Sequence, residues 1–287
     1  MSVELKKIKR RIGTTQQLNK VTSALQKVAS ARMYKFAKNI LSRRNVLNKL
    51  LEIMALAAHG IDIGNLEHPF LQKNISSKRA LVILGSDKGL CGAYNTQIAE
   101  YANGFIDDQT DVVASGKIMV RKLKRLHITP MLSFDQPSTK SDDDFFGRDI
   151  FDWIFDAFKS GKYSKIELIY TKYENPVKQE LKKISVLPVD KNYFEGLEYD
   201  KGVAESIIFE PSAESVFMTL LPNLAKEIYV DAVINSFASE NASRMAAMSR
   251  ANENSSELLD EMNKRFRSLR QQNITTEMLE IISGMRT

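Results

Sequence analysis

A single cysteine, Cys91, occurs in 287 residues, so an intrachain disulfide and a cysteine-based metal site are both excluded. That usage fits a reducing compartment. Histidine is almost as scarce: His59, His68 and His127 are never at HxxxH spacing, which leaves no expected zinc site. No run of about 18 apolar residues exists. The best candidate, near residues 49–63, is broken by Glu52, His59 and Asp62, so no membrane span is predicted. The start, MSVELKKIKRRIG, is basic without an apolar core, and no secretory signal or transit peptide is expected in it. Proline is missing from residues 3–58 and from the chain after Pro222; glycine occurs once in the first stretch, at Gly13, and not in residues 217–283.

Those absences leave two long helix-forming ends. At a rise of ~1.5 Å per residue, an unbroken helix over either would reach about 80–90 Å and project from a globule. In the first, residues Ala29, Met33, Phe36, Ile40, Arg43, Leu47, Leu50, Met54 and Ala57 follow the alternating four-three step of a coiled-coil seam. Upstream, Leu18, Val21, Leu25 and Val28 suggest a second seam segment whose phase slips against the first. The C-terminal line runs Phe217, Leu221, Leu224, Ile228, Asp231, Asn235, Ala238, Ala242, Met245, Ser249 and Asn252, then Leu259, Met262, Phe266 and Leu269 after another phase change. Its middle is small and polar, which implies close approach of a partner helix, most simply as an antiparallel pair.

The charge is uneven. Residues 1–58 hold 13 Lys+Arg against 2 acidic residues, 59–210 hold 20 against 23, and 211–287 hold 8 against 10. A basic rod beside a mildly acidic one can lie against it, or can offer a basic surface to something acidic. Nucleic acid is not the expected partner, because the basic stretch has only Tyr34 and Phe36 as aromatics and no reading motif.

Between the rods the pattern is α/β. Residues 79–86 (RALVILGS) read as a buried parallel strand, 95–105 as a helix, 111–115 as a strand, 117–126 and 145–159 as helices, and 165–173 with 178–188 as a hairpin around Asn175-Pro176. The polar, acidic segment 135–144 reads as an exposed loop. The fold class expected is therefore a small Rossmann-like α/β domain inserted between the helices of a long antiparallel coiled coil. Its parts would be 1–60, 76–190 and 211–287.

No constellation supplies catalysis. Gly85, Gly89 and Gly92 follow a strand and precede a helix, yet they match neither a Walker A loop nor GxGxxG, so a structural turn is the better reading than a phosphate cradle. Cys91 has no histidine near it in sequence and reads as a packing residue; the Asp142-Asp143-Asp144 run reads as solvated surface rather than a divalent-cation site. No catalytic residue, cofactor or metal is expected. On the residues alone, a coiled-coil scaffold whose α/β domain binds a ligand or a protein remains open.

Five segments resemble one family: KVTSALQKVASARM (20–33), DKGLCGAYN (87–95), IFEP (208–211), SFASENASRMAAMSRANEN (236–254) and RQQNITTEMLEIISG (270–284). Together, and in this order, they resemble the gamma-subunit family of the rotary proton-translocating ATP synthases. The resemblance implies a non-catalytic central-stalk shaft, one per complex, inside a hexamer of alternating alpha and beta subunits. It also implies contacts with the epsilon subunit and the ring of c subunits, with membrane association only through that ring, at the cytoplasmic face of a bacterial inner membrane. By motif position, Arg270, Gln271 and Thr275 would engage a catch loop of a beta subunit. Ile274, Met278, Ile281 and Ile282 would form an apolar bearing tip, and Phe209 and Glu210 the foot on the c ring. Lys88 stands where arginine is common in the family, keeping charge but losing bidentate geometry. The cysteine-bearing segment of chloroplast forms is absent, so thiol control of that kind is not expected.

Overall fold

A computed structural model describes residues 3–58, 61, 66, 68–137, 147–189, 193 and 207–284, with side chains described as far as 281. The described elements are α1 (Val3–Ala58), β1 (Arg79–Leu84), α2 (Tyr94–Asn103), β2 (Thr110–Ser115), α3 (Lys117–Arg125), β3 (Leu132–Phe134), α4 (Arg148–Lys159), β4 (Lys165–Tyr173), β5 (Gln179–Leu187) and α5 (Ala213–Gly284). By contact the chain divides into two compact units, Arg32–Ser243 and Met1–Ala31 with Arg244–Thr287.

In Arg32–Ser243 the five strands form one sheet in the order β3-β2-β1-β4-β5. The first four strands are parallel to one another, and β5 returns antiparallel to β4. The apolar run of β1 is explained by covered faces on both sides of the sheet. Leu81 and Ile83 pack with Ile98 and Ala99 of α2 and with Met119 and Leu123 of α3. Ala80, Val82 and Leu84 belong to the opposite core, with Ile150, Phe151, Ile154 and Phe158 of α4 and the buried face of α5. The strand β3 is an addition to the expected hairpin and two inner strands. The helix expected over 145–159 is described from Arg148; residues 145–146, and 138–144 of the expected loop, lie outside the described residues.

Ser212 starts α5 by accepting the Ser215 N–H on its Oγ at 3.1 Å. Against it α1 runs antiparallel: Phe36 stacks on Phe237, and further along α1 Arg43 Nη1 lies 3.2 Å from Glu227 Oε1. Met33, Phe36, Met54 and Ala57 are buried, on the expected seam. Residues 232–242 of α5 are buried around the whole helix, because α1 covers one side and the sheet domain the other. Three of their polar groups are matched to that domain. Tyr173 donates its N–H to Asn235 Oδ1 at 3.1 Å, Tyr94 donates its hydroxyl to Ser236 O at 3.1 Å, and Ser239 donates to Thr171 O at 3.0 Å.

In the other unit the helices are again antiparallel, with Glu4 beside Arg265 and Asn19 donating to Asn252 O and Ser256 Oγ. Here the structure corrects the upstream seam. Leu18, Val21 and Val28 are exposed, whereas Leu5, Ile8, Thr22 and Ala29 are buried and Ile12, Thr15 and Asn19 half-buried. These positions keep the four-three step of residues 29–57, so no phase slip exists in α1. The reason is chemical: the facing stretch of α5 presents Asn252 and Ser256, which pair with Asn19 and Thr22 by hydrogen bonds rather than by apolar contact.

Candidate functional site

The glycine turn is built to hold two helices against the sheet. A Cβ on Gly85 would run into the Met119 side chain, and Gly116, at φ +101°, faces the Ser86 backbone just as closely. Gly92 takes φ +59°, the left-handed region open to glycine, while Gly89 faces open space and needs no close approach. Three backbone N–H groups at the start of the turn are already used. Ser86 N–H donates to Asn95 Oδ1 at 3.0 Å, Asp87 N–H to Gln136 Oε1 at 3.2 Å, and Gly85 N–H to Ser115 O at 2.9 Å. Asp87 Oδ1 in turn accepts the Lys117 N–H at 2.9 Å, placing a carboxylate where an anion would approach α3. Cys91 is buried in the same network, 3.2 Å from Asn95 Nδ2. The turn is therefore a joint, with Lys88 exposed at its crest.

The end of α5 offers a surface instead. Arg270, Gln271, Ile274, Thr275, Met278 and Ile281 are exposed, the last two at 61% and 63%. At ~100° per residue they fall within about 140° of the helix circumference, so one face carries a cation, an amide and an apolar ridge. Thr275 turns its hydroxyl back to Gln271 O at 3.0 Å, satisfying itself within the helix. Leu279, 61% exposed, extends the apolar character and was not singled out by motif position. The Ile282 side chain lies outside the described residues.

Ahead of α5, Phe209 is half-buried and packs on the main core, and Glu210 is exposed before a cis peptide to Pro211. The apolar side chain offered outward here is Ile208, 87% exposed. Sequence reasoning missed it, although an isoleucine pair ahead of a phenylalanine already holds more apolar groups than one core contact can absorb. Near the start of α1, Lys6, Lys7, Lys9, Arg10 and Arg11 are all exposed around Leu5 and Ile8, making a basic collar. Among the described residues no cluster of three or more His, Cys, Asp or Glu could hold a metal ion, and no helix is long and apolar enough to cross a membrane.

The family model described as "ATP synthase" matches residues 4–287. An ATP synthase gamma chain of Bacteroides fragilis is 31% identical over 291 residues, covering 98% of this chain and 98% of that one. Among solved structures, a chain in the rotor of the Euglena gracilis mitochondrial ATP synthase has a TM-score of 0.65 at 14% identity, covering 94% of this chain and 99% of that chain. One in the central stalk and c ring of the Tetrahymena thermophila mitochondrial enzyme has a TM-score of 0.55 at 22% identity, covering 80% and 99%. At such identities these two likenesses concern the fold. With a near-complete match to the family in sequence, and the same two antiparallel helices and sheet in structure, the chain belongs to the ATP synthase gamma-chain family.

Proposed function

We propose that this chain is the rotating central-stalk subunit of a proton-translocating ATP synthase, binding no substrate itself and coupling ion flow to ATP synthesis or hydrolysis on beta subunits. One copy would stand inside a hexamer of alternating alpha and beta subunits and meet the epsilon subunit and the c ring at its other end. The observation that carries the reading is the family match from residue 4 to 287. In this reading the complex sits at the cytoplasmic face of a bacterial inner membrane, and the chain reaches the membrane only through the c ring.

The mechanism needs asymmetry rather than a reaction centre. Three chemically identical beta subunits would meet different faces of one helix pair, and each contact would bias that subunit between open and closed states. Moving a subunit from mostly open to mostly closed takes ~5 kcal/mol of differential interaction. Arg270 and Gln271 as catch residues, with Thr275 beside them, could supply part of this through charge-assisted hydrogen bonds of roughly 1.5–3 kcal/mol each. Ile274, Met278, Ile281 and Ile282 would turn in an apolar sleeve, where non-directional contact resists tilt without opposing rotation. Phe209 and Glu210 would form the foot, the first anchored in the core and the second facing the ring. Gly85 and Gly92, with Gly89 between them, would hold the turn that presents Lys88. Residues 76–190 would form the body between helical parts at 1–60 and 211–287.

The test is reconstitution with the matching alpha and beta subunits. Assembly by size exclusion and a gain of steady multi-site ATPase activity are expected. A chain that stays alone beside competent partners returns the scaffold reading.

A further inference from the structure

Within Arg32–Ser243, a cavity of about 500 Å³ lies between α2, β4, β5 and α5. Its most buried lining residues are Tyr94 and Thr171, 4% and 5% exposed, and Glu100 stands at its open rim. The chain is strongly basic, with a net charge of +6, yet two carboxylates line this cavity, Glu100 and Glu180, and no lysine or arginine does. Lys182 Nζ lies 2.6 Å from Glu180 Oε1, whereas Glu100 has no ion pair among the described residues.

Apart from the Gln97 amide and the Tyr101 hydroxyl, which can also donate, the remaining groups present acceptors. Tyr94 gives its hydroxyl proton to Ser236 O, which leaves its oxygen to accept. Thr171 Oγ1 is buried beside the Tyr94 hydroxyl with no hydrogen bond of ordinary geometry, and its lone pairs stay open to a donor. Across the cavity, Gln179 Oε1 accepts from Ser243 Oγ at 3.3 Å and retains a second lone pair. The ring of Tyr101 adds an aromatic wall. Several acceptors on separate walls suit a planar cation with five fixed donors better than a compact ammonium, and stacking on an aromatic face favours it further.

We propose that this cavity is a socket for a guanidinium group, supplied as an arginine side chain by another subunit of the complex. The subunit source rests on the central-stalk reading; the guanidinium preference does not. A side chain entering at Glu100 would bring its charge to a rim carboxylate and its donors to Thr171 and Tyr94.

The test titrates the full-length 15N-labelled chain with N-acetyl-arginine amide and, separately, with the neutral isostere N-acetyl-citrulline amide. Saturable shifts of the Tyr101, Thr171 and Leu181 amides with the arginine compound, and about tenfold weaker binding of the citrulline compound, are expected. Glu100→Gln should weaken the arginine compound about tenfold, and Thr171→Val should weaken it in a chain whose spectrum shows an intact fold. Equal binding of the two compounds, no saturable shift, or an unaffected Glu100→Gln would overturn the socket. In the assembled complex, verified independently by size exclusion, the arginine compound should be excluded. Binding there as tight as to the free chain would overturn the assignment to a partner's side chain.

Discussion

Phe36 of α1 and Phe237 of α5 stack with ring centroids 5.0 Å apart and planes 16° from parallel, both rings almost wholly buried. The pair closes the seam within the stretch where α5 has no exposed side. Phe36→Ala should therefore cost about 3–5 kcal/mol, and Phe36→Leu, which keeps much of the volume, under about 1.5 kcal/mol. Urea unfolding of the two variants measures both; equal losses would show that the cavity does not control the cost.

Glu167 sits buried in β4 with Lys165 Nζ at 2.9 Å and Lys183 Nζ at 3.1 Å. Burial pushes its carboxyl up, but the hydrogen bonds and charges of Lys165 and Lys183 together outweigh this and leave it below the ordinary value. A carboxyl depressed in the folded state stabilises above its unfolded value and loses that contribution as pH falls through the folded value. Glu167→Gln should cost about 2 kcal/mol at pH 7, with the gap to the parent narrowing below about pH 4. Thermal melts at both pH values decide it, and a gap independent of pH would count against the ion cluster.

Asp231 behaves in the opposite sense. Burial raises its carboxyl, and Lys172, Arg44 and the Asn235 side chain only partly offset the shift. The charged form then opposes folding at neutral pH, and this is relieved as pH falls through the raised folded value. Asp231→Asn should stabilise the chain by about 1 kcal/mol at pH 7, a gain that fades in acid as the parent carboxyl takes up its proton. A variant less stable than the parent at pH 7 would show that the carboxylate's partners dominate.

The tip separates stability from coupling. Because Ile274 and Met278 are exposed, replacing both with serine should shift the isolated chain's unfolding by no more than about 0.5 kcal/mol per site. In the reconstituted complex the same change should lower ATP-driven rotation, as should Arg270→Ala with Gln271→Ala. If hydrolysis and synthesis both stay at parental levels, these side chains have no part in coupling.

How far the sequence could be read depended on where the partner of each residue lies. The strands β1, β2, β4 and β5 were legible because their own apolar pattern fixes which faces are covered. The strand β3 was not, since three residues, Leu132–Phe134, contain less than two full alternations and owe their pairing to β2. In α1, the rule that apolar residues mark the seam failed at Leu18, Val21 and Val28, because the opposing Asn252 and Ser256 select Asn19 and Thr22 instead. The surface residues Arg270, Gln271, Ile274 and Met278 came only from resemblance. They are exposed on α5, so neither periodicity nor packing within the chain could single them out.

Residues 232–242 admit only one angular setting of α5 against the sheet domain. Turning the helix by a single residue step, ~100°, would withdraw Asn235 from Tyr173, Ser236 from Tyr94 and Ser239 from Thr171 together. The helix is thus keyed to its hub the way a splined axle is, and within Arg32–Ser243 a twist applied to the sheet domain reaches α5 without backlash.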